Sequence, residues 1–372
     1  MQEYIDVPEP VREGSPLADV RALILSAPSA PTEPGEKVRE ALLGMGREGD
    51  FGRLGEAAEW LANWQNRYPP RIEKPTLAVF AGSHGLVEEG VSMSSNQDTL
   101  EHVSALREGR APLSAIATQA GASIRIFELA LDKPTPSIAE TAAMSEKECA
   151  ATIAYGFEAT EDHPDLLALA VAGAGVGTAA AAVACALYGG SPDYWVRPSS
   201  QTPATLSRKR IDLVSRALTL HRGHLSDPLE ALRCLGGREL AACVGAIIAA
   251  RHQGIPVVLD GFATTIAAGV VHAIDPTAIS HCLASHITRR PAHEAALERL
   301  GLHDASDSDS DGEWGRRRRP AAPALSHSGR GSRKQRGSQR LSSPWIGRMR
   351  QRRMSSLRSR SYRKTTKAWP VD

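Results

Sequence analysis

The sequence predicts an α/β fold built on a parallel sheet with helices over both faces. Three stretches carry that expectation: TLAVFAGSHG (76–85), LLALAVAGAGVGTAAAAVACALYGG (166–190) and IPVVLDGFATTIAAGVVHAI (255–274). Each is a short apolar run that ends in glycine, and the last two pass directly into a helical pattern. Ligands in this architecture bind at the carboxyl ends of the strands, where AGSHG, AGAGVG and LDGFATT fall.

The other elements follow in chain order. Residues 1–50 are polar and hold one amphipathic stretch, VREALLGM (38–45). FGRLGEAAEWLANWQN (51–66) sets Leu54, Ala57, Ala58, Leu61 and Trp64 at helical spacing. APLSAIATQAGASIRIFEL (111–129) reads as a helix, then Gly121, then a strand over 123–129. LSRKRIDLVSRAL (206–218) opens a helix with Arg208, Lys209 and Arg210. Residues 227–274 give two helices, a buried strand and a third helix, and HCLASH (281–286) is a further short apolar segment.

Composition bounds the function. With 42% hydrophobic and 23% charged residues the chain is globular in class. It has no uncharged apolar run of about 18 residues, so no membrane span is expected. An acidic N-terminus without an apolar core points to the cytoplasm rather than secretion. The five cysteines have no paired spacing, which argues against a zinc site or disulfide framework and predicts no metal. The net charge of +2 hides an asymmetry. Residues 316–372 carry 18 Lys/Arg and one acid, a net of +17, while 303–315 carry five acids and no Lys/Arg, a net of −5. After Leu302 neither helical nor strand periodicity persists, so 303–372 is expected to be a disordered, basic, low-complexity tail.

Several residues are candidates for chemistry. Gly173, Gly175 and Gly177 precede a helix expected to start near Thr178, an arrangement that cradles an anion or simply makes a tight turn. The spacing is not G-x-G-x-x-G, no acid follows about 20 positions on, and no Gly-Lys-Ser/Thr is present. A dinucleotide and a Walker-type site are therefore not indicated, and no cofactor is expected. His84 either touches a ligand or ties its loop together, and Glu88 and Glu89 read as a solvated helix start. Asp260 either orients a ribose hydroxyl or, the safer reading, caps the next helix. Ser285 and His286 follow the short apolar segment, and Arg289–Arg290 reads as a solvated turn. Lys209 and Arg210 either clamp a phosphate or form a wet helix face.

Taken together, these pieces resemble the nicotinate-nucleotide–dimethylbenzimidazole phosphoribosyltransferase family of cobalamin lower-ligand synthesis. The family's K-P-x-G-S-L-G-R-L-E-x-L-A helix is similar to residues 51–62, and its A-x-D-H-G-V-x-x-E-G-V-S loop to 81–92, with Ser83 in place of Asp. Its G-G-x-E-I-A-x-x-x-G-A, I-P-V-L-L-D-G-F and A-S-H-x-S-x-x-x-x-H signatures are similar to 236–246, 255–262 and 284–293. The resemblance spans roughly 40–302. It implies a three-layer α/β/α domain (71–302) around a parallel Rossmann-like sheet, with a small helical domain built from the chain ends (1–70 at the N-terminal side), working as a homodimer. It implies transfer of the phosphoribosyl group of nicotinate mononucleotide to 5,6-dimethylbenzimidazole, giving α-ribazole 5′-phosphate and nicotinate without a metal. On this reading Gly175, Gly177, Thr178, Lys209 and Arg210 hold the phosphate. Ser83, His84, Ser94 and His102 line the base pocket, and Asp260, Gly261, Ser285 and His286 face the ribose or nicotinate.

The departures are specific. The family's G-E-M-G-I-G-N-T-T loop is one residue shorter here, with Ala174 where a glutamate stands, and R-G-T-G-L-D-D has become R-P-S-S-Q-T-P from Arg197. The family's G-E-G-S-G segment, which carries the catalytic base, is replaced by acidic and then arginine-rich sequence. Glu313 lies nearest its expected place. A reading-frame shift after about Leu302 produces such a swing, and the other two frames of the genomic DNA would then encode the segment. The alternative function is a catalytically impaired homologue that binds nucleotide or base without turnover. Nucleic-acid binding through the tail is the weaker reading, because few aromatics interleave its basic residues.

Overall fold

The structure, a computed structural model, describes residues 14–45, 51–196, 202–288 and 290–302. Arg197, Arg289, Glu313 and the tail 303–372, with the disorder expected of it, lie outside the described residues. The helices are Pro16–Leu25 (α1), Glu33–Gly44 (α2), Gly52–Gln65 (α3), Asn96–Arg107 (α4), Pro112–Gln119 (α5), Glu146–Gly156 (α6), Val176–Tyr188 (α7), Pro192–Val196 (α8), Ala204–Leu220 (α9), Pro228–Leu235 (α10), Arg238–Gln253 (α11), Gly261–His272 (α12) and Pro291–Leu300 (α13). The strands are Pro75–Ala81 (β1), Ser123–Glu128 (β2), Leu166–Ala172 (β3), Val257–Leu259 (β4) and Cys282–Ala284 (β5).

All five strands run parallel in the order β2-β1-β3-β4-β5, so the predicted α/β class holds. The order reverses between β1 and β3. Their crossovers leave in opposite directions there and open a crevice at the carboxyl edge. Register places Ala81 beside Ala172, so the loops that follow these two residues are neighbours.

Helices α7, α11 and α12 are apolar nearly all round and are buried accordingly, with α11 enclosed from Glu239 to Arg251. Helix α6 approaches α11 through glycine. A Cβ at Gly156 would collide with the Ala242 carbonyl, and one at Gly245 with that of Ile153. The two backbones can approach this closely only because neither carries a side chain at the crossing.

The structure adds one helix within the polar N-terminal stretch. In α1, Ser15 caps Ala18 N–H at 3.2 Å, Pro16 occupies the first turn, and Leu17, Val20, Leu23 and Ile24 are buried. Helix α7 begins at Val176, two residues before the expected Thr178. Helix α3 is fastened at a distance. The indole N–H groups of Trp60 and Trp64 both donate to the Ser280 carbonyl, at 3.2 and 3.1 Å. Arg251 lies 4.3 Å over the Trp64 ring and donates to Ser280 Oγ at 2.6 Å.

Candidate active site

At the crevice, β3 ends in the glycine loop that opens α7. Gly175 is the N-cap of α7 at φ +88°, a conformation that favours glycine, and a Cβ there would lie 2.6 Å from Leu86 Cδ1. Gly177 plays a different part. Its missing Cβ leaves room for the Arg290 guanidinium, whose nitrogens would stand 3.2 and 3.3 Å from that atom. No side chain caps α7; the Val176 N–H bonds back to the Gly173 carbonyl at 3.4 Å, and the Gly177 N–H lies at the crevice with the positive end of the helix dipole behind it. Thr178 is buried, and its N–H bonds to the Gly175 carbonyl at 2.8 Å.

An open cleft of about 370 Å³ lies against this helix end, lined by Val176, Gly177, Asp260, Phe262, Ala263, Thr288 and Arg290. Arg290 stands 5.4 Å over the Phe262 ring and has no ion-pair partner among the described residues. Burial lowers its pKa from the ordinary value. Arg210 is lowered too, first by burial and then by repulsion from Arg290, while its Nε donates to the Val91 carbonyl at 2.6 Å. A guanidinium in the cleft with no ion-pair partner among the described residues, repelled by a second arginine, favours an anion.

The expectation that Arg289–Arg290 forms a solvated turn is therefore corrected for Arg290. Buried His293 accepts from Thr288 N–H at 3.0 Å and bonds the Thr265 hydroxyl at 3.0 Å, which holds Thr288 against α12, where Thr288 and Arg290 both line the cleft. A signal for this was present in the sequence. Pro291 opens α13, so the residue before it sits at the helix start, at the same sheet edge as Asp260.

Asp260 occupies the N-cap position of α12, yet its side chain accepts no helix N–H, so the capping expectation is also corrected. Gly261 at φ +81° turns the chain there, and the first-turn hydroxyls of Thr264 and Thr265 bond back to its carbonyl. The Asp260 carboxylate faces the cleft instead, with its Oδ1 3.7 Å from His286 Nδ1. His286 Nδ1 also meets Ser285 Oγ at 2.8 Å. Asp260 and Arg290 thus line one cleft with opposite charge and form no ion pair with each other.

The remaining sequence candidates divide. Ser83 and His84 are buried beneath the glycine loop, and His84 Nε2 pairs with Glu239 Oε1 at 2.8 Å. Ser94 and His102 are exposed, near and on α4, and are not among the residues that line the cleft. Lys209 is exposed on α9, with its Nζ 2.9 Å from where a Gly90 Cβ would stand. Glu89, expected to be solvated, accepts from Ser137 and Arg216. The described residues contain no cluster of His, Cys, Asp and Glu that would hold a metal.

Residues 39–311 match the family model described as Phosphoribosyltransferase. The nicotinate-nucleotide–dimethylbenzimidazole phosphoribosyltransferase of Sinorhizobium fredii (strain NBRC 101917 / NGR234) is 43% identical over 290 residues, 77% of this chain and 85% of that protein. The protein of the same name from Brucella suis biovar 1 (strain 1330) is 38% identical over 295 residues, 79% of this chain and 87% of its own. Among solved structures, the crystal structure of the Thermus thermophilus enzyme of that name superposes with a TM-score of 0.64 at 28% identity. The match covers 78% of this chain and 86% of that one.

Proposed function

The chain belongs to the nicotinate-nucleotide–dimethylbenzimidazole phosphoribosyltransferase family, and from that premise we infer how its cleft carries out the transfer. The enzyme moves the phosphoribosyl group of nicotinate mononucleotide to 5,6-dimethylbenzimidazole, releasing nicotinate and forming α-ribazole 5′-phosphate. The donor is a zwitterion, with an anionic phosphate at one end of the ribose and a cationic pyridinium at C1. The observation that carries the reading is a cleft with matching charges that form no ion pair with each other: Arg290 and the α7 N-terminus on one wall and the Asp260 carboxylate on another.

In this reading the phosphate lies against the Gly177 N–H and the positive end of α7, clamped by Arg290 with Arg210 behind it. Asp260 and the Ser285–His286 pair face the ribose. A carboxylate there favours the positive charge that grows on C1 as the bond to nicotinate lengthens. The benzimidazole nitrogen attacks C1 from the opposite face, and the C1–N bond to nicotinate breaks with its electron pair returning to the pyridine nitrogen. The proton of the incoming ring passes to a base, the role we assign to Glu313 on the resemblance alone.

Among the described residues no helix is long and apolar enough to cross a membrane. We place the enzyme in the cytoplasm as a homodimer, in line with its family; a mass of one chain by light scattering would overturn the dimer. The activity itself is tested by incubating the purified full chain with nicotinate mononucleotide and dimethylbenzimidazole. α-Ribazole 5′-phosphate and nicotinate should accumulate in equal amounts, and their absence overturns the reading.

A further inference from the structure

We propose that His84 and Glu239 are the positioning pair of the glycine loop, fixing how deep the nucleotide's phosphate sits against α7. The inference rests on the phosphate reading of that loop and adds two residues that touch no substrate.

The pair is sealed inside the protein. Both side chains are 0% exposed, and His84 Nε2 lies 2.8 Å from Glu239 Oε1. The surrounding backbone comes so close that only glycine fits. A Cβ on Gly82 would collide with Glu239 Oε2, and one on Gly237 with His84 Cε1. The glycine loop rests on the same imidazole. A Cβ on Gly173 would stand 2.8 Å from the Gly82 carbonyl and 3.9 Å from His84 Cδ2, and one on Gly175 would stand 3.6 Å from His84 Cβ. The histidine is therefore the floor beneath both loop glycines, and Glu239 orients that floor from the first turn of the fully buried α11.

The backbone around the pair is tied with equal care. Asn96 accepts from His84 N–H at 3.2 Å and donates to the His84 carbonyl at 3.1 Å. One turn further along α4, Thr99 Oγ1 accepts from Ala174 N–H at 3.0 Å, and Gly82 N–H bonds the Ala172 carbonyl at 3.0 Å. The loops after β1 and β3 thus share one support at the point where the strand order reverses.

A cluster built for stability alone would satisfy its polar atoms. Here His84 Nδ1, Glu239 Oε2, Ser83 Oγ and Thr135 Oγ1 are buried with no hydrogen-bond partner among the described residues. Apolar side chains of equal volume would pack there at no such cost, but they would not set the ring's orientation. The arrangement favours a defined loop geometry over maximal stability.

The experiment measures nicotinate mononucleotide affinity by calorimetry, together with KM for each substrate, kcat and melting temperature. Glu239→Ala should raise the nucleotide Kd and KM at least tenfold while leaving KM for dimethylbenzimidazole within twofold. Glu239→Gln keeps an acceptor for the imidazole N–H and should restore the nucleotide Kd to within threefold of the parent. Asn96→Ala, which leaves the buried pair in place, should weaken nucleotide binding about threefold at a nearly unchanged melting temperature. A Glu239→Ala protein that melts lower but binds nucleotide as the parent does would overturn the proposal, as would equal losses for both substrates. If Glu239→Ala does not fold, Asn96→Ala decides, and an unchanged Kd in that variant overturns the proposal. A parent protein that binds no nucleotide overturns the phosphate reading itself and this inference with it.

Discussion

Replacing Arg290 with alanine removes a charge-assisted contact worth about 1.5–3 kcal/mol. Nicotinate mononucleotide should then bind roughly ten- to a hundredfold more weakly by calorimetry, with the KM for dimethylbenzimidazole little changed. Arg290→Lys should recover part of the loss, because an ammonium supplies charge but not the planar fork. Equal affinity in all three proteins would remove Arg290 from the site. The sequence did not single this arginine out, since two adjacent basic residues before a proline read as an exposed turn. Its placement depends on His293 and Thr265, which meet from separate helices. Glu239 stands in the segment similar to the family's G-G-x-E-I-A signature, but its partner was hidden. It lies 155 residues from His84, and no local spacing in a single chain announces a contact at that separation. Gly175 and Gly177 were legible, because a glycine run between an apolar strand and an alanine-rich helix has few physical explanations.

Among the elements, the α6–α11 crossing is the most exacting joint. Gly245→Ala would press a methyl group into the Ile153 carbonyl, and the helices would have to separate. Overpacking of this kind costs about 1–3 kcal/mol, so the urea midpoint should fall with the m-value unchanged. An unaltered midpoint would show that the joint relaxes freely. Because Glu239 stands on the same helix, nucleotide affinity should weaken along with stability in this variant. Strands β1, β3 and β4 were visible in the sequence as uninterrupted apolar runs, and α7, α11 and α12 as apolar helices between glycines. Helix α1 was not, because its signature is ten residues long and sits within polar chain, where a serine followed by a proline fits a loop as well as a helix start. The order of the strands was likewise beyond local pattern, since it depends on which faces the crossover helices cover.

For the molecule as a whole, buried histidines set the response to acid. Burial, with Arg251 adding to it, pushes His281 down to about 3, and burial also lowers His221 and His272. His281 is therefore neutral when folded and takes up a proton more readily once unfolded. Between about pH 6.5 and pH 3 the unfolded chain therefore binds more protons, so stability falls as pH falls through that window. His281→Asn should flatten the fall by up to one proton, about 1.4 kcal/mol per pH unit, in urea midpoints measured from about pH 7 to pH 4. A slope identical to the parent's would mean that His281 does not govern it.

The clamp on α3 also has a consequence in time. Trp60 and Trp64 find their shared acceptor 220 and 216 residues further along the chain. At a synthesis rate of about 5–20 residues per second, α3 is made roughly 10–45 s before Ser280. Through that interval two indoles have no partner, and the nascent chain must be shielded or kept soluble by its charged neighbours until the last strands arrive.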